Sequence, residues 1–102
     1  MSVTLVRQKV KDGHVEEAEA AVNEWFAALD RERPEGLRYA STRVDNSTFV
    51  ILTEVADGIE DPRPAIPEFQ RFLEHLKELV DGPPVIEQLE IVGSYQLFGN
   101  ER

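Results

Sequence analysis

The most constraining feature of this sequence is the spacing of its apolar residues. Along the chain, segments typical of strands alternate with segments in which apolar residues recur at helical spacing. Four segments rich in β-branched and aromatic residues are predicted to be strands, namely 3–10, 37–45, 48–55 and 85–97. Between them, two segments repeat apolar residues every three or four positions, which predicts amphipathic helices. The first helix follows a turn at 11–14 and runs to about Glu32, and the second begins at Pro67.

Proline, glycine and Asx residues mark the ends of these elements. Pro34 ends the first helix because its ring cannot continue the helical hydrogen bonding. Residues 45–47 have the composition of a short hairpin loop, and 56–66 form a longer loop broken by prolines. Gly82 is predicted to be the C′ residue of the second helix, and Gly93 to bend the last strand.

The order of elements, β-α-β-β-α-β, predicts an α+β, ferredoxin-like fold with a four-stranded antiparallel sheet. Two helices can cover only one face of such a sheet, yet the strands carry apolar residues on both faces. The neighbouring pairs Leu5 and Val6, Val50 and Ile51, and Ile91 and Val92 illustrate this. We therefore expect a homodimer in which the sheet of a second copy covers the open face.

Composition narrows the classes of function. A chain of 102 residues with no cysteine predicts a single domain over 1–102 without disulfides, thiolate metal ligands or a cysteine nucleophile. The net charge of −9 and the lack of a basic stripe argue against nucleic-acid partners. No apolar run is long enough for a membrane span and no signal core is visible, so we expect a cytoplasmic protein. With two histidines and no metal-ligand spacing, no metal site is predicted.

The succession of elements and several local patterns together resemble the antibiotic biosynthesis monooxygenase-like domains of the dimeric α/β-barrel superfamily. The matching segments are VTLVRQKVKDGHVEEAEAAV, GLRYASTRVD, FVILTEV, PEFQRFLEHLKELVDGPP and the final VGSY. The resemblance covers nearly the whole chain through the order of the segments, because no single motif among them is specific. It implies a dimeric barrel with a pocket between the sheet and the helices of each subunit.

The resemblance also implies a function. It predicts a cofactor-independent monooxygenase, an oxidoreductase that acts on a small aromatic or polyketide-type substrate without any cofactor. Two alternatives stay open: a non-catalytic small-molecule-binding or structural dimer, and an isomerase or lyase of the same superfamily. The sequence departs from many relatives because Ala56 stands where an aromatic residue often follows the strand-three Glu54, and because the stretch just before the second helix, PRPAIPEF, contains no histidine.

His75 is the candidate catalytic residue, because it lies at the edge of the apolar stripe of the second helix and histidine exchanges protons near neutral pH. The candidate substrate-binding residues are large or polar side chains on the predicted pocket walls: Trp25, Phe72, Leu76, Tyr39 and Arg43. Trp25 and Phe72 offer flat apolar surfaces, whereas Tyr39 and Arg43 share one strand face and suit a phenolate. We expect a cavity bordered by Trp25, Phe72 and Leu76 that opens near the 56–66 loop.

Overall fold

The computed structural model describes residues 2–95, and within this range the predicted order of elements is confirmed. The strands are β1 (Ser2–Lys9), β2 (Leu37–Arg43), β3 (Thr48–Val55) and β4 (Val85–Leu89). The helices are α1 (Val15–Glu32) and α2 (Pro67–Lys77), and a short 3-10 turn, Arg63–Ala65, precedes α2. The fold is therefore α+β and ferredoxin-like.

Helix α2 ends earlier than the sequence predicts. It stops at Lys77, and the chain then turns back toward the end of β1, where the amide of Lys11 donates to the carbonyl of Leu79 at 2.8 Å. Val80 forms an isolated antiparallel bridge with Val10. The prediction of Gly82 as the C′ residue of α2 is wrong, because these contacts with β1 end the helix first. Gly82 has φ +92° within the connection to β4, a conformation that favours glycine.

Strand β4 is also shorter than predicted. It ends at Leu89, which pairs with Val3, the second residue of β1. Residues 90–95 have no regular structure, and the predicted residues 96–97 lie outside the described part of the chain. Strand β2 ends at Arg43 because Asp45 begins the hairpin loop. Its Oδ1 accepts hydrogen bonds from the amides of Ser47 and Thr48 at 2.8 and 2.9 Å.

The strand order in the sheet is β2-β3-β1-β4, and all three pairings are antiparallel. The register places Val6 opposite Ile51 and Ile86, and Ser41 opposite Ile51, so these four residues share one face. Both helices pack on this face, which we call the helix face. The alternating residues, among them Leu5, Val50, Leu52 and Val85, belong to the opposite face, which we call the open face.

Small residues let α1 lie close to the rest of the core. Its buried positions are Ala18, Ala21, Trp25 and Ala28, which fall on one stripe of the helix. One core cluster joins Ala18 to Val10, Phe49 and Leu79, and a second joins Trp25 and Ala28 to Ile66. Because three of the four buried α1 residues are alanines, the indole of Trp25 is the large side chain that this helix contributes to the core.

Within residues 2–95, neither helix has the length and apolar character needed to cross a lipid bilayer.

The core cluster around Leu79 gives a test of the fold. Leu79→Ala should lower the free energy of unfolding by about 2–5 kcal/mol, because the Leu79 residue is 3% exposed and its loss leaves a cavity. Leu73→Ala is the matched control, since Leu73 is 38% exposed and should lose much less. Urea unfolding of both variants at one protein concentration measures the difference. Equal losses would contradict the described packing.

Candidate functional site

A cavity of about 260 Å³ lies between the helix face of the sheet and the two helices. All four strands contribute to its walls, with side chains such as Val6, Ser41, Ile51 and Ile86. Helix α1 contributes Ala18, Val22, Trp25 and Phe26, and helix α2 contributes Phe69, Phe72, Leu73 and Leu76. The lining is mainly aliphatic and aromatic, which is the usual character of a small-molecule site.

Aromatic rings form one wall of the cavity around Trp25, whose residue is only 1% exposed. Its ring centroid lies 4.9 Å from that of Phe69 and 6.0 Å from that of Phe72, with Phe72 stacked at an interplanar angle of 16°. Tyr39 of β2 meets Trp25 edge-on, with centroids 6.2 Å apart. This wall joins α1, α2 and β2, and offers flat surfaces against which an aromatic ligand would pack.

The cavity has a polar end, built by Tyr39 and by Arg63 of the 3-10 turn. The guanidinium carbon of Arg63 lies 5.6 Å from the ring centroid of Tyr39 and 5.2 Å from that of Phe69. Asp61 holds this guanidinium from one side, accepting from Nε at 3.1 Å and from Nη2 at 2.8 Å. The charge of Arg63 is thus placed over two aromatic faces, an arrangement that stabilises a cation.

The pKa values at this end follow from burial and from neighbouring charges. Burial raises the pKa of Tyr39 above its usual value, and the nearby Trp25 N–H and Arg63 guanidinium offset part of the rise. Burial alone would lower the pKa of Arg63, but its hydrogen bonds to Asp61 and the Asp61 charge outweigh this and raise it. The Arg63 hydrogen bonds lower the pKa of Asp61. At neutral pH, therefore, Tyr39 keeps its proton and Arg63 its charge.

The Nε1–H group of Trp25 is buried and makes no hydrogen bond with the described residues. Trp25 meets Tyr39 edge-on, with ring centroids 6.2 Å apart, and its N–H group offsets part of the rise in the pKa of Tyr39. A buried donor without a partner is uncommon in proteins and costs free energy. The cavity thus contains a donor that a ligand could satisfy.

Four of the five predicted substrate-binding residues line this cavity: Trp25, Phe72, Leu76 and Tyr39. The fifth, Arg43, is not among the lining residues. It shares the helix face with Tyr39 but lies at the last position of β2, where it forms an ion pair with Glu19, with Nη1 2.7 Å from Oε2. Substrate binding by any of these residues stays a prediction.

His75, the predicted catalytic residue, is also not among the residues that line the cavity. Its Nε2 lies 2.9 Å from Oε2 of Glu17 on α1, and its side chain is 41% exposed. It borders a neighbouring cleft of about 320 Å³ between the two helices. The side chains of Trp25 and Phe72 line both spaces and so stand between His75 and the cavity.

Arg63 and Phe69 are site residues that the sequence reasoning did not select. Phe69 lies on α2, and its contact with Trp25 depends on how the two helices pack. The signal for Arg63 was local, since Asp61 lies two residues before it and prolines flank it in a loop expected to border the pocket. Among the described residues, no group of three histidine or acidic side chains is arranged to hold a metal ion.

Glu54 and Tyr95 are not among the residues that line the cavity. Glu54 stands opposite Val3 and Arg38 in the register and therefore belongs to the open face. Tyr95 is exposed beyond the end of β4.

Comparison of the fold with solved structures gives several similar proteins. One is described as an antibiotic biosynthesis monooxygenase, with 16% identity, a TM-score of 0.67, and coverage of 91% of this chain and 100% of that chain. Another is SnoaB, a cofactor-independent oxygenase from Streptomyces nogalater, with 20% identity, a TM-score of 0.67, and coverage of 91% and 95%. A protein of unknown function from Nitrosomonas europaea has 18% identity, a TM-score of 0.72, and 92% coverage of both chains.

The sequence itself matches no protein-family model and no curated protein. At these identities the structural similarity establishes the fold. The chain has the ferredoxin-like fold of the antibiotic biosynthesis monooxygenase-like proteins, as the resemblance of its segments implied.

The Asp61–Arg63 pair predicts a dependence of stability on pH. Because the Arg63 hydrogen bonds lower the pKa of Asp61 in the folded protein below the usual aspartate value, the ionised carboxylate stabilises the fold above that usual value. This contribution is lost as the pH falls through the folded-state pKa, where the carboxyl group takes up a proton. The wild-type protein should therefore be more stable than Asp61→Asn at pH 6, and the difference should shrink toward pH ~3.

Urea unfolding between these two pH values measures this difference. Glu60→Gln, which alters the neighbouring exposed carboxylate, is the control and should give a much smaller difference throughout. An Asp61→Asn difference that did not change with pH would contradict the assigned ion pair.

Proposed function

We propose that this protein is a cofactor-independent, monooxygenase-like oxidoreductase that binds a small aromatic molecule in the cavity on the helix face. The observation that carries this proposal is the aromatic wall of Trp25, Phe69 and Phe72 beside the polar end at Tyr39 and Arg63. The fold shared with a cofactor-independent oxygenase supports it. Fold alone is a weak argument for function, so the proposal depends mainly on the cavity.

The size of the cavity favours a substrate with one or two rings. An apolar protein cavity of about 150 Å³ accommodates benzene. The present cavity, at about 260 Å³, is less than twice that volume. A two-ring phenol such as 1-naphthol therefore suits it better than a larger polycyclic molecule.

The reaction that we propose draws all its electrons from the substrate. For 1-naphthol and one O₂, the ring C–H para to the hydroxyl becomes a carbonyl and the hydroxyl loses its proton to become the second carbonyl. One oxygen atom enters the ring and the other leaves as water, so that 1,4-naphthoquinone and water are the products. The protein would bind and orient the phenol and favour its ionised, electron-rich form.

A second candidate function is non-catalytic binding of the same kind of molecule. The ionisable residues that line the cavity, within the described part of the chain, are Tyr39 and Arg63. The pKa values of both are raised above their usual values, so neither accepts a proton at neutral pH. This observation favours binding over proton-transfer chemistry, and it weighs most against the isomerase or lyase alternative, which needs a general base.

We further propose that two copies pair through the open face of the sheet. The residues of this face include Leu5, Val50, Leu52, Val85 and Leu89, and Val85 and Leu89 are exposed in the single chain. Covering them with the same face of a second copy would bury an apolar surface and complete a dimeric barrel.

The dimer is tested by placing a charge on the open face. Light scattering should give about twice the 11.6 kDa chain mass at micromolar concentration. Leu52→Asp should shift the protein toward the monomer and lower its stability, because its carboxylate would be buried in the interface opposite the apolar residues Leu5 and Ala40. Val44→Asp is the control, since this exposed residue lies in the hairpin loop beyond β2. A wild-type protein that is monomeric and well folded would contradict the proposal.

The activity is tested by oxygen uptake with 1-naphthol, in the absence of added flavin, haem or metal. We expect uptake above the uncatalysed rate and formation of 1,4-naphthoquinone. Trp25→Ala should reduce this uptake, whereas the exposed Val44→Ala should not. If the wild-type protein binds 1-naphthol without accelerating uptake, the binding function is the correct one. If it does not bind 1-naphthol, both functions fail.

His75→Ala tests the catalytic residue predicted from the sequence. Because Trp25 and Phe72 separate His75 from the cavity, we expect oxygen uptake to stay within about threefold of the wild-type rate. A proton-transfer residue would instead contribute ~10²–10⁴ in rate. A loss of that size, with the dimer intact, would support the sequence-based prediction and contradict the expectation from the geometry.

A further inference from the structure

The charge of the cavity lining differs from that of the chain as a whole. The sequence contains 20 acidic residues against 11 basic ones. None of the residues that line the cavity in the described structure is acidic, and the single charged residue among them is Arg63. In this strongly acidic protein, the charged side chain that lines the cavity is therefore a cation, with Asp61 behind it, and a cation favours an anionic group on the ligand.

Three hydrogen-bond donors lie close together at the polar end of the cavity. The indole N–H of Trp25 is buried and without a partner. The Tyr39 ring contacts both Trp25 and the Arg63 guanidinium. Asp61 accepts hydrogen bonds from Nε and Nη2 of Arg63, on one side of the guanidinium. An indole N–H and a guanidinium have no acceptor capacity, so these two groups suit an oxygen that only accepts.

From these observations we infer that Trp25, Tyr39 and Arg63 form an oxyanion subsite that holds the acidic hydroxyl of a one- or two-ring aromatic ligand as its anion. This inference rests on the proposed function in so far as the cavity must bind an aromatic molecule. It goes further by stating which oxygen of the ligand is recognised, in which ionisation state, and by which donors.

The subsite also explains how a bound phenol could ionise although no base lines the cavity in the described structure. With no base among the cavity residues, a neutral phenol must lose its proton to solvent. Donors that bind the phenolate more tightly than the phenol would lower the pKa of the bound ligand and make this loss favourable. The raised pKa of Tyr39 is consistent with this role, because a tyrosine that keeps its proton can donate it. The ionisable groups nearest the ligand oxygen would be Tyr39 and Arg63, with Asp61 behind Arg63.

The test uses 4-nitrophenol, because its neutral and ionised forms have different absorption spectra. The pH dependence of the phenolate absorbance is measured for the free probe and for the probe saturated with the full-length wild-type protein. We expect the phenolate form to bind about tenfold or more tightly than the neutral form, as charge-assisted hydrogen bonds do, and hence a lower pKa for the bound probe. 4-Nitroanisole, which cannot ionise, should bind more weakly than 4-nitrophenol at the higher pH.

Variants distinguish the effect of each hydrogen-bond donor on phenolate binding from the effect of altered packing. Arg63→Gln should remove most of the preference for the phenolate, and Arg63→Lys should restore part of it. Tyr39→Phe and Trp25→Phe each remove one donor and keep an aromatic ring, and each should reduce the preference several-fold. Arg71→Gln is the matched control, since the side chain of this arginine on α2 is 71% exposed and does not line the cavity, and it should leave the preference unchanged.

The outcomes distinguish this inference from the proposed function. If 4-nitrophenol and 4-nitroanisole bind equally and Arg63→Gln changes nothing, the subsite is wrong, although the cavity still binds aromatic molecules. If neither probe binds, the subsite and the proposed function both fail. Circular dichroism of each variant shows whether it is folded. If Arg63→Gln does not fold, Arg63→Lys and Tyr39→Phe still decide the result, and a full phenolate preference in both would overturn the subsite.

Discussion

The burial of Trp25 between α1, α2 and β2 is the interaction on which the rest of the site depends. Its indole packs against Phe69 and Phe72 of α2 and meets the edge of Tyr39 on β2. The alanines on the same stripe of α1 leave room for this one large ring to reach across the interface. Together with Phe72, it separates the cavity from the interhelical cleft.

This packing buries a polar group without a hydrogen-bond partner in the described part of the chain, which costs free energy. The ring is buried, but its N–H group finds no acceptor among the described residues. Many acidic side chains would provide an acceptor, and the chain is rich in them, yet none lines the cavity. Native proteins often keep such an unsatisfied group where a ligand binds, so the same residue that organises the core also suggests where a ligand oxygen would lie.

The fold was predictable from the sequence to a large extent because it depends on local periodicity. Strand β3 has the predicted bounds, and the helical stripe around Trp25 was visible as a three-to-four repeat. The ends of α2 and β4 were not predictable, since long-range contacts of Val80 with Val10 and of Leu89 with Val3 determine them.

The site was less predictable than the fold, because alternation tells which strand face a residue occupies but not how far along the strand the cavity extends. Tyr39 and Arg43 share a face, yet only Tyr39 reaches the cavity. Arg63 reaches the cavity from a loop, where no regular spacing of apolar residues indicates which side chains point inward. His75 was placed correctly at the edge of the apolar stripe, but the sequence could not reveal Glu17 as its partner on the other helix.

Since Trp25 is the single tryptophan of the chain, its indole N–H should give one resolved signal in a proton–nitrogen NMR spectrum. Titration with 1-naphthol should move this signal saturably, and naphthalene, which lacks the hydroxyl, should move it much less. An indole signal that stays fixed while 1-naphthol shifts the signals of other residues would show that aromatic ligands bind elsewhere. It would contradict the central claim that the cavity beside Trp25 is the binding site.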